Sequence, residues 1–161
     1  MAEKFRILTT GEAATCAVAQ KIAGLFRQGD IIVLEGDLGA GKTYFVKGFT
    51  TGFRSQDEVS SPTFSIANFY RTGKTELLHI DLYRITSIDD WNDLGLSDYF
   101  GQSIVLIEWG MKFTDHFDEY LMITFGIQDE NTRTLTFTAQ GDRYQSMIPE
   151  IHKLLEGGEL C

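Results

Sequence analysis

The chain has 161 residues, 43% of them hydrophobic and 12% aromatic, which suits one folded domain over 1–161 with a sizeable core and argues against disorder. A formal net charge of −9 and a pI of about 4.7 exclude broad electrostatic binding to DNA, RNA or an anionic membrane. Two cysteines, Cys16 and Cys161, offer neither a disulfide framework nor a metal-ligand spacing; Met1 to Thr10 lacks a signal-peptide core, and no run reaches the ~18 apolar residues of a membrane span, so a cytoplasmic location is expected.

Phe5 to Leu8 predicts a short strand, and Thr9 followed by Glu12 has the form of a capping box. Ala14, Val18, Ile22, Leu25 and Phe26 then share one helical face, with an end near Gln28-Gly29. Ile31 to Leu34 is a continuous apolar run of the kind a fully buried strand shows. It leads into Gly36-Asp37-Leu38-Gly39-Ala40-Gly41-Lys42-Thr43, which fits the phosphate-binding pattern G-x-x-x-x-G-K-[ST] without a mismatch, and Tyr44 to Phe49 continues as a helix. Glycines let backbone N–H groups approach phosphate oxygens, and the helix N-terminus adds unpaired N–H groups and partial positive charge. In that pattern Lys42 reaches the β- and γ-phosphates of a nucleotide and Thr43 ligates Mg²⁺.

Gly52 to Ser61 reads as a loop closed before Pro62. Thr63 to Tyr70 and Glu76 to Tyr83 predict a hairpin turning at Arg71 to Lys74. Ile88 to Leu94 predicts a short acidic helix stopped by Gly95, and Ile104 to Ile107 a second buried strand ending at Glu108-Trp109-Gly110. Tyr120 to Phe125 and Arg133 to Thr138 form a second predicted hairpin around Gln128 to Asn131, and Pro149 to Leu155 a last helix. The order implies an α/β fold of P-loop NTPase-like, three-layer type, with a mixed, mostly parallel central sheet and antiparallel hairpin additions.

A P-loop needs a further acid for its metal, placed at the end of a neighbouring apolar strand. Two residues compete for that role, Asp81 after Leu77 to Ile80 and Glu108 after Ile104 to Ile107; each could also be a solvated strand-end carboxylate, and spacing alone does not divide their roles. His79 is read as a packed, hydrogen-bonded residue rather than a general base. Ser60 to Thr63 is either a plain turn or a segment that senses the γ-phosphate.

The P-loop, then Ser61-Pro62-Thr63-Phe64, His79-Ile80-Asp81-Leu82-Tyr83-Arg84 and Ile107-Glu108-Trp109, in that order, closely resemble the TsaE (formerly YjeE) family of small bacterial P-loop ATPases. The resemblance spans nearly the whole chain and implies a partner-dependent ATPase supporting threonylcarbamoyl-adenosine formation on tRNAs that read codons beginning with A. It implies partnership with TsaB and TsaD, contact with tRNA only through their complex, and cofactors ATP and Mg²⁺. Carried onto this sequence, Lys42 and the amides of Asp37, Leu38, Gly39, Ala40, Gly41 and Thr43 would hold phosphate, Thr43 and Glu108 would hold Mg²⁺, and Asp81 would orient the attacking water. Glu12 would lie near the adenine and Arg133 near the nucleotide. Gly110 and Gly141-Asp142-Arg143-Tyr144 depart from the family pattern. The rival readings are a small-molecule kinase, which would need an acceptor pocket and a basic lid, and a nucleotide-gated binding module without useful catalysis.

Overall fold

The structure is a computed structural model that describes residues 4–62, 65–73, 75–155 and 157–160. The strands are β1 (Lys4–Thr10), β2 (Ile31–Glu35), β3 (Ala67–Arg71), β4 (Glu76–Asp81), β5 (Ser103–Glu108), β6 (Tyr120–Ile127), β7 (Thr132–Gln140) and β8 (Glu159–Leu160). They form one sheet in the order β3-β4-β5-β2-β6-β7-β1-β8. The central four, β4-β5-β2-β6, run parallel, and the flanking pairs are antiparallel. This is the expected mixed sheet with hairpin additions at its sides.

Apolar residues of the central strands alternate between two cores. Ile32 and Leu34 of β2, with Ile104 and Leu106 of β5, face a core shared with α1 (Glu12–Ile22), α2 (Lys42–Gly52) and, near the C-terminus, the helix Met147–Leu154. Val33, Val105 and Ile107 face the opposite core around Trp91 of the helix Ile88–Asp93, which is α3. Burial on both faces is why these strands read as unbroken apolar runs. The C-terminal helix is α5, following the short α4 (Asp142–Gln145).

Helices α1 and α2 approach very closely at Gly48, where an added Cβ would sit 2.0 Å from the carbonyl oxygen of Cys16. The capping box does not form. Strand β1 runs on to Thr10, paired with Thr132, so Thr9 stays in the sheet and its hydroxyl meets that of Thr15 at 2.8 Å. Gly11, at φ 85°, makes the turn into α1 instead. The first strand of the β3–β4 hairpin is shorter than expected: Ile66, at φ 71°, precedes it, and Thr63, Phe64 and Lys74 lie outside the described residues. Ser87 caps α3 by accepting from the Asp90 N–H, and Gly95 at φ 66° ends that segment as expected.

Candidate nucleotide site

Strands β2, β4 and β5 all end at the same edge of the sheet, and each ends in an acid: Glu35, Asp81 and Glu108. Asp81 stands beside Glu108 in the parallel register. All three are less than a tenth exposed, in the crevice where open α/β sheets take ligands. The loop from Gly36 to Gly41 passes over this edge. Gly36, Gly39 and Gly41 have φ of 154°, 80° and 106°, and a Cβ at Gly36 would meet the Phe125 carbonyl at 2.8 Å. Glycine is required there by backbone and by space, which places the loop's N–H groups for an anion.

Lys42, the first residue of α2, is 5% exposed, and its Nζ donates to the Gly36 carbonyl at 2.6 Å. The same ammonium lies 3.9 Å from the centre of the Trp109 ring. Burial pushes Lys42 below its ordinary pKa, opposed by the charges of Glu108, Glu35, Asp81 and Asp37. Those acids favour the ammonium form, in opposition to burial. A cavity of about 240 Å³ is lined by Lys42, Thr43, Ser61, Asp81, Glu108 and Trp109, among others. Thus the sequence-derived Lys42, Thr43, Asp81 and Glu108 converge on one space.

Around it the turns are tied together. His79, wholly buried, meets Glu108 Oε2 through Nε2 at 2.6 Å and the Tyr70 hydroxyl through Nδ1 at 3.0 Å. The expectation of a packed, hydrogen-bonded histidine holds. Asp81 Oδ1 accepts from the Tyr83 N–H at 2.9 Å. Glu35 accepts from the Met111 N–H, and burial pushes its carboxyl above the ordinary range. Lys112 donates to the carbonyls of Leu82 and Ile85, both at 2.7 Å, and so bridges the turn after Asp81 to the turn after Glu108. Gly110 has a packing reason: a Cβ there would sit 2.8 Å from Ile107 Cγ2.

A second cavity, about 430 Å³, opens beside the loop between α1 and the β6–β7 turn. Glu12, Tyr44, Asn131 and Arg133 line it together with Gly39 and Gly41. Arg133 donates to the Asp129 carbonyl at 2.8 Å and reaches the Gly39 carbonyl at 3.4 Å, so it joins the hairpin turn to the loop. Glu12 and Arg133 therefore sit at the loop but on the far side from Asp81 and Glu108. Of the loop residues, Ala40 is buried while Leu38 is 69% exposed, so Leu38 contributes backbone rather than side chain to the crevice.

Tyr70, Glu35, Tyr44 and Asn131 were not singled out from sequence. Glu35 was findable, because it ends an apolar run as Asp81 and Glu108 do. Tyr70 carried no signal, since two of its partners, His79 and Ser60, lie 9 and 10 residues away on other segments. A larger groove of about 700 Å³ lies at the opposite edge of the sheet, but its charged centre is already satisfied: Arg143 donates to Asp30 at 2.7 and 2.9 Å.

The donor set fits Mg²⁺ in chemical type, being a hydroxyl and carboxylate oxygens. Among the described residues no group of three or more His, Cys, Asp or Glu could hold a metal by itself. No helix among the described residues is long and apolar enough to cross a membrane.

Known proteins resemble this chain in sequence and in fold. The family model described as "Threonylcarbamoyl adenosine biosynthesis protein TsaE" matches residues 9–135. The tRNA threonylcarbamoyladenosine biosynthesis protein TsaE of Bacillus subtilis strain 168 is 40% identical over 147 residues, 90% of this chain and 92% of that protein. The TsaE protein of Treponema pallidum strain Nichols is 36% identical over 117 residues, 71% of this chain and 86% of that one. The crystal structure of Bacillus subtilis YdiB superposes with a TM-score of 0.81 at 35% identity, covering 95% of this chain and 97% of that one. With the glycine loop, the acid-tipped strands and the flanking hairpins in place, the chain belongs to the TsaE family.

Proposed function

We propose that this chain is a Mg²⁺-dependent ATPase that serves the threonylcarbamoyl-adenosine modification of tRNA in concert with TsaB and TsaD. The tRNA pathway comes from the names of its relatives. The ATPase reading is supported chiefly by one observation: Lys42, Asp81 and Glu108, all nearly buried, share a cavity with Thr43 at the mouth of the glycine loop.

The loop amides and Lys42 bind and orient the β- and γ-phosphates, and their charge is already in place before the transition state forms. Thr43 and Glu108 are the residues that would hold Mg²⁺, which when bound neutralises charge on the same oxygens. Asp81, whose Oδ1 accepts from the Tyr83 N–H, would orient the attacking water. Trp109 forms part of the cavity wall beside Lys42. Glu12 and Arg133 border the neighbouring cavity, which suits the base and sugar. The −9 charge accords with contact to tRNA through partners rather than by this chain alone.

The test is ATP hydrolysis by the purified chain, alone and with TsaB, TsaD and tRNA, with Lys42→Ala as the blank. Slow release of free phosphate, accelerated by the partners and lost in the variant, is expected. A phosphorylated metabolite as product would establish a kinase instead, and failure of the partners to bind or alter the rate would refute the assigned role.

A further inference from the structure

The side chain of Glu108 is held by another side chain on an adjacent strand. That side chain is His79, and behind it stands Tyr70 on the neighbouring strand β3. Behind Tyr70 in turn is the Ser60 carbonyl, 3.0 Å from the hydroxyl. The Ser60 carbonyl also accepts from the Asn68 amide at 3.2 Å. Ser60 precedes Ser61, which lines the same cavity as Glu108. A chain of contacts thus runs from the segment before Pro62, through the sheet, to the carboxylate facing the loop.

The donors and acceptors of this chain constrain one another. A neutral imidazole has one N–H, and an ionised carboxylate can only accept. With the imidazole neutral and the carboxylate ionised, holding Glu108 by Nε2–H leaves Nδ1 as an acceptor, and the Tyr70 hydroxyl supplies the hydrogen between them. That hydroxyl has a single hydrogen and two acceptors within reach, Nδ1 and the Ser60 carbonyl. If it turns to Ser60, the lone pairs of the hydroxyl face Nδ1 and the imidazole is drawn to the other tautomer, which cannot donate to Glu108. Burial pushes the Tyr70 hydroxyl above its ordinary pKa, so the hydrogen stays available to one acceptor or the other. Asn68 satisfies Ser60 in either case.

We propose that Tyr70 and His79 are positioning residues that orient Glu108 toward its metal, and that the single Tyr70 hydroxyl hydrogen couples this orientation to the placement of Ser60. The inference rests on the ATP and Mg²⁺ reading above. Metal ligands generally depend on such outer partners, whose loss weakens metal affinity by about 10-fold or more.

The experiment is calorimetric titration of ATP into the full chain, once in excess Mg²⁺ and once in EDTA. The ratio of the two affinities measures metal coupling without requiring turnover. Tyr70→Phe keeps the ring and removes the hydroxyl; it should lower the ratio by about 10-fold and leave the EDTA affinity within about twofold. In a Glu108→Gln background the same change should have no further effect, because Tyr70 acts through Glu108. Asn68→Ala, which leaves Ser60 dependent on Tyr70, should lower the ratio in the same direction and serves if Tyr70→Phe does not fold. An unchanged ratio in Tyr70→Phe or, failing that variant, in Asn68→Ala, or additivity with Glu108→Gln, would overturn the coupling alone. A wild-type chain that binds ATP equally with and without Mg²⁺ would overturn the proposed function as well.

Discussion

Asp30 lies just before β2, at the end of the strand remote from the glycine loop, and is 4% exposed. Its carboxylate accepts from Arg143 Nε and Nη2 at 2.9 and 2.7 Å, from the Arg27 N–H at 2.8 Å and from the Tyr144 hydroxyl at 3.3 Å. Tyr144 in turn accepts from the Ile31 N–H at 2.8 Å, and burial, foremost, pushes its hydroxyl pKa up to about 12. Asp30→Ala would remove the acceptor at the centre of this group. Breaking a buried ion pair costs about 3–5 kcal/mol. The Arg143 side chain is 26% exposed and can regain water, so the low end, about 3 kcal/mol, is expected. In a chain of this size that corresponds to a fall of about 6–12 °C in Tm. Urea unfolding of Asp30→Ala, Arg143→Ala and the double variant would measure it, and the double should cost less than the sum of the singles by more than about 1 kcal/mol. A loss below about 1 kcal/mol for Asp30→Ala, or simple additivity, would refute the view that this pair anchors β2 to the segment after β7.

Gly48→Ala should destabilise by about 3 kcal/mol or more, since its methyl would collide with backbone and not with a side chain free to turn aside; a melting temperature near that of the wild type would contradict the α1–α2 packing. Burial raises the Glu35 carboxyl pKa, so the native state binds its proton more readily than the unfolded chain, and stability falls as pH rises from the unfolded value through the raised one. Glu35→Gln, which retains an acceptor for Met111, should accordingly be more stable than the wild type near neutrality, with the difference vanishing below about pH 4; parallel stability–pH curves would disprove this. Glu12→Ala should reduce the preference for ATP over GTP in binding assays several-fold, whereas Arg133→Ala should weaken both nucleotides together; equal discrimination in Glu12→Ala would place the base elsewhere.

The glycine loop was legible because phosphate binding needs particular residue types at fixed spacing, and β2 and β5 because strands covered on both faces must be apolar throughout. Both hairpins announced themselves through alternation and turn residues. The capping box misled because Thr9 and Glu12 have the right local spacing, yet pairing of Thr10 with Thr132 kept the strand going past the proposed cap. Strand β8 has two residues, too few for any period to show. The division between Asp81 and Glu108 was closed to sequence for a related reason. Both end apolar strands, and what separates them is the company they keep: His79 and Tyr70 for one, the Tyr83 amide for the other. Such partnerships are made by the sheet, which brings distant segments side by side.

The Lys112 bridge has a mechanical consequence. By holding the carbonyls of Leu82 and Ile85, it makes the turns beyond Asp81 and Glu108 two arms of one lever. Tyr83 and Met111, 49% and 52% exposed, are handles on its outer side. Loss of that one ammonium, on Lys112, would release the turn after Asp81 from the turn after Glu108 at a single stroke.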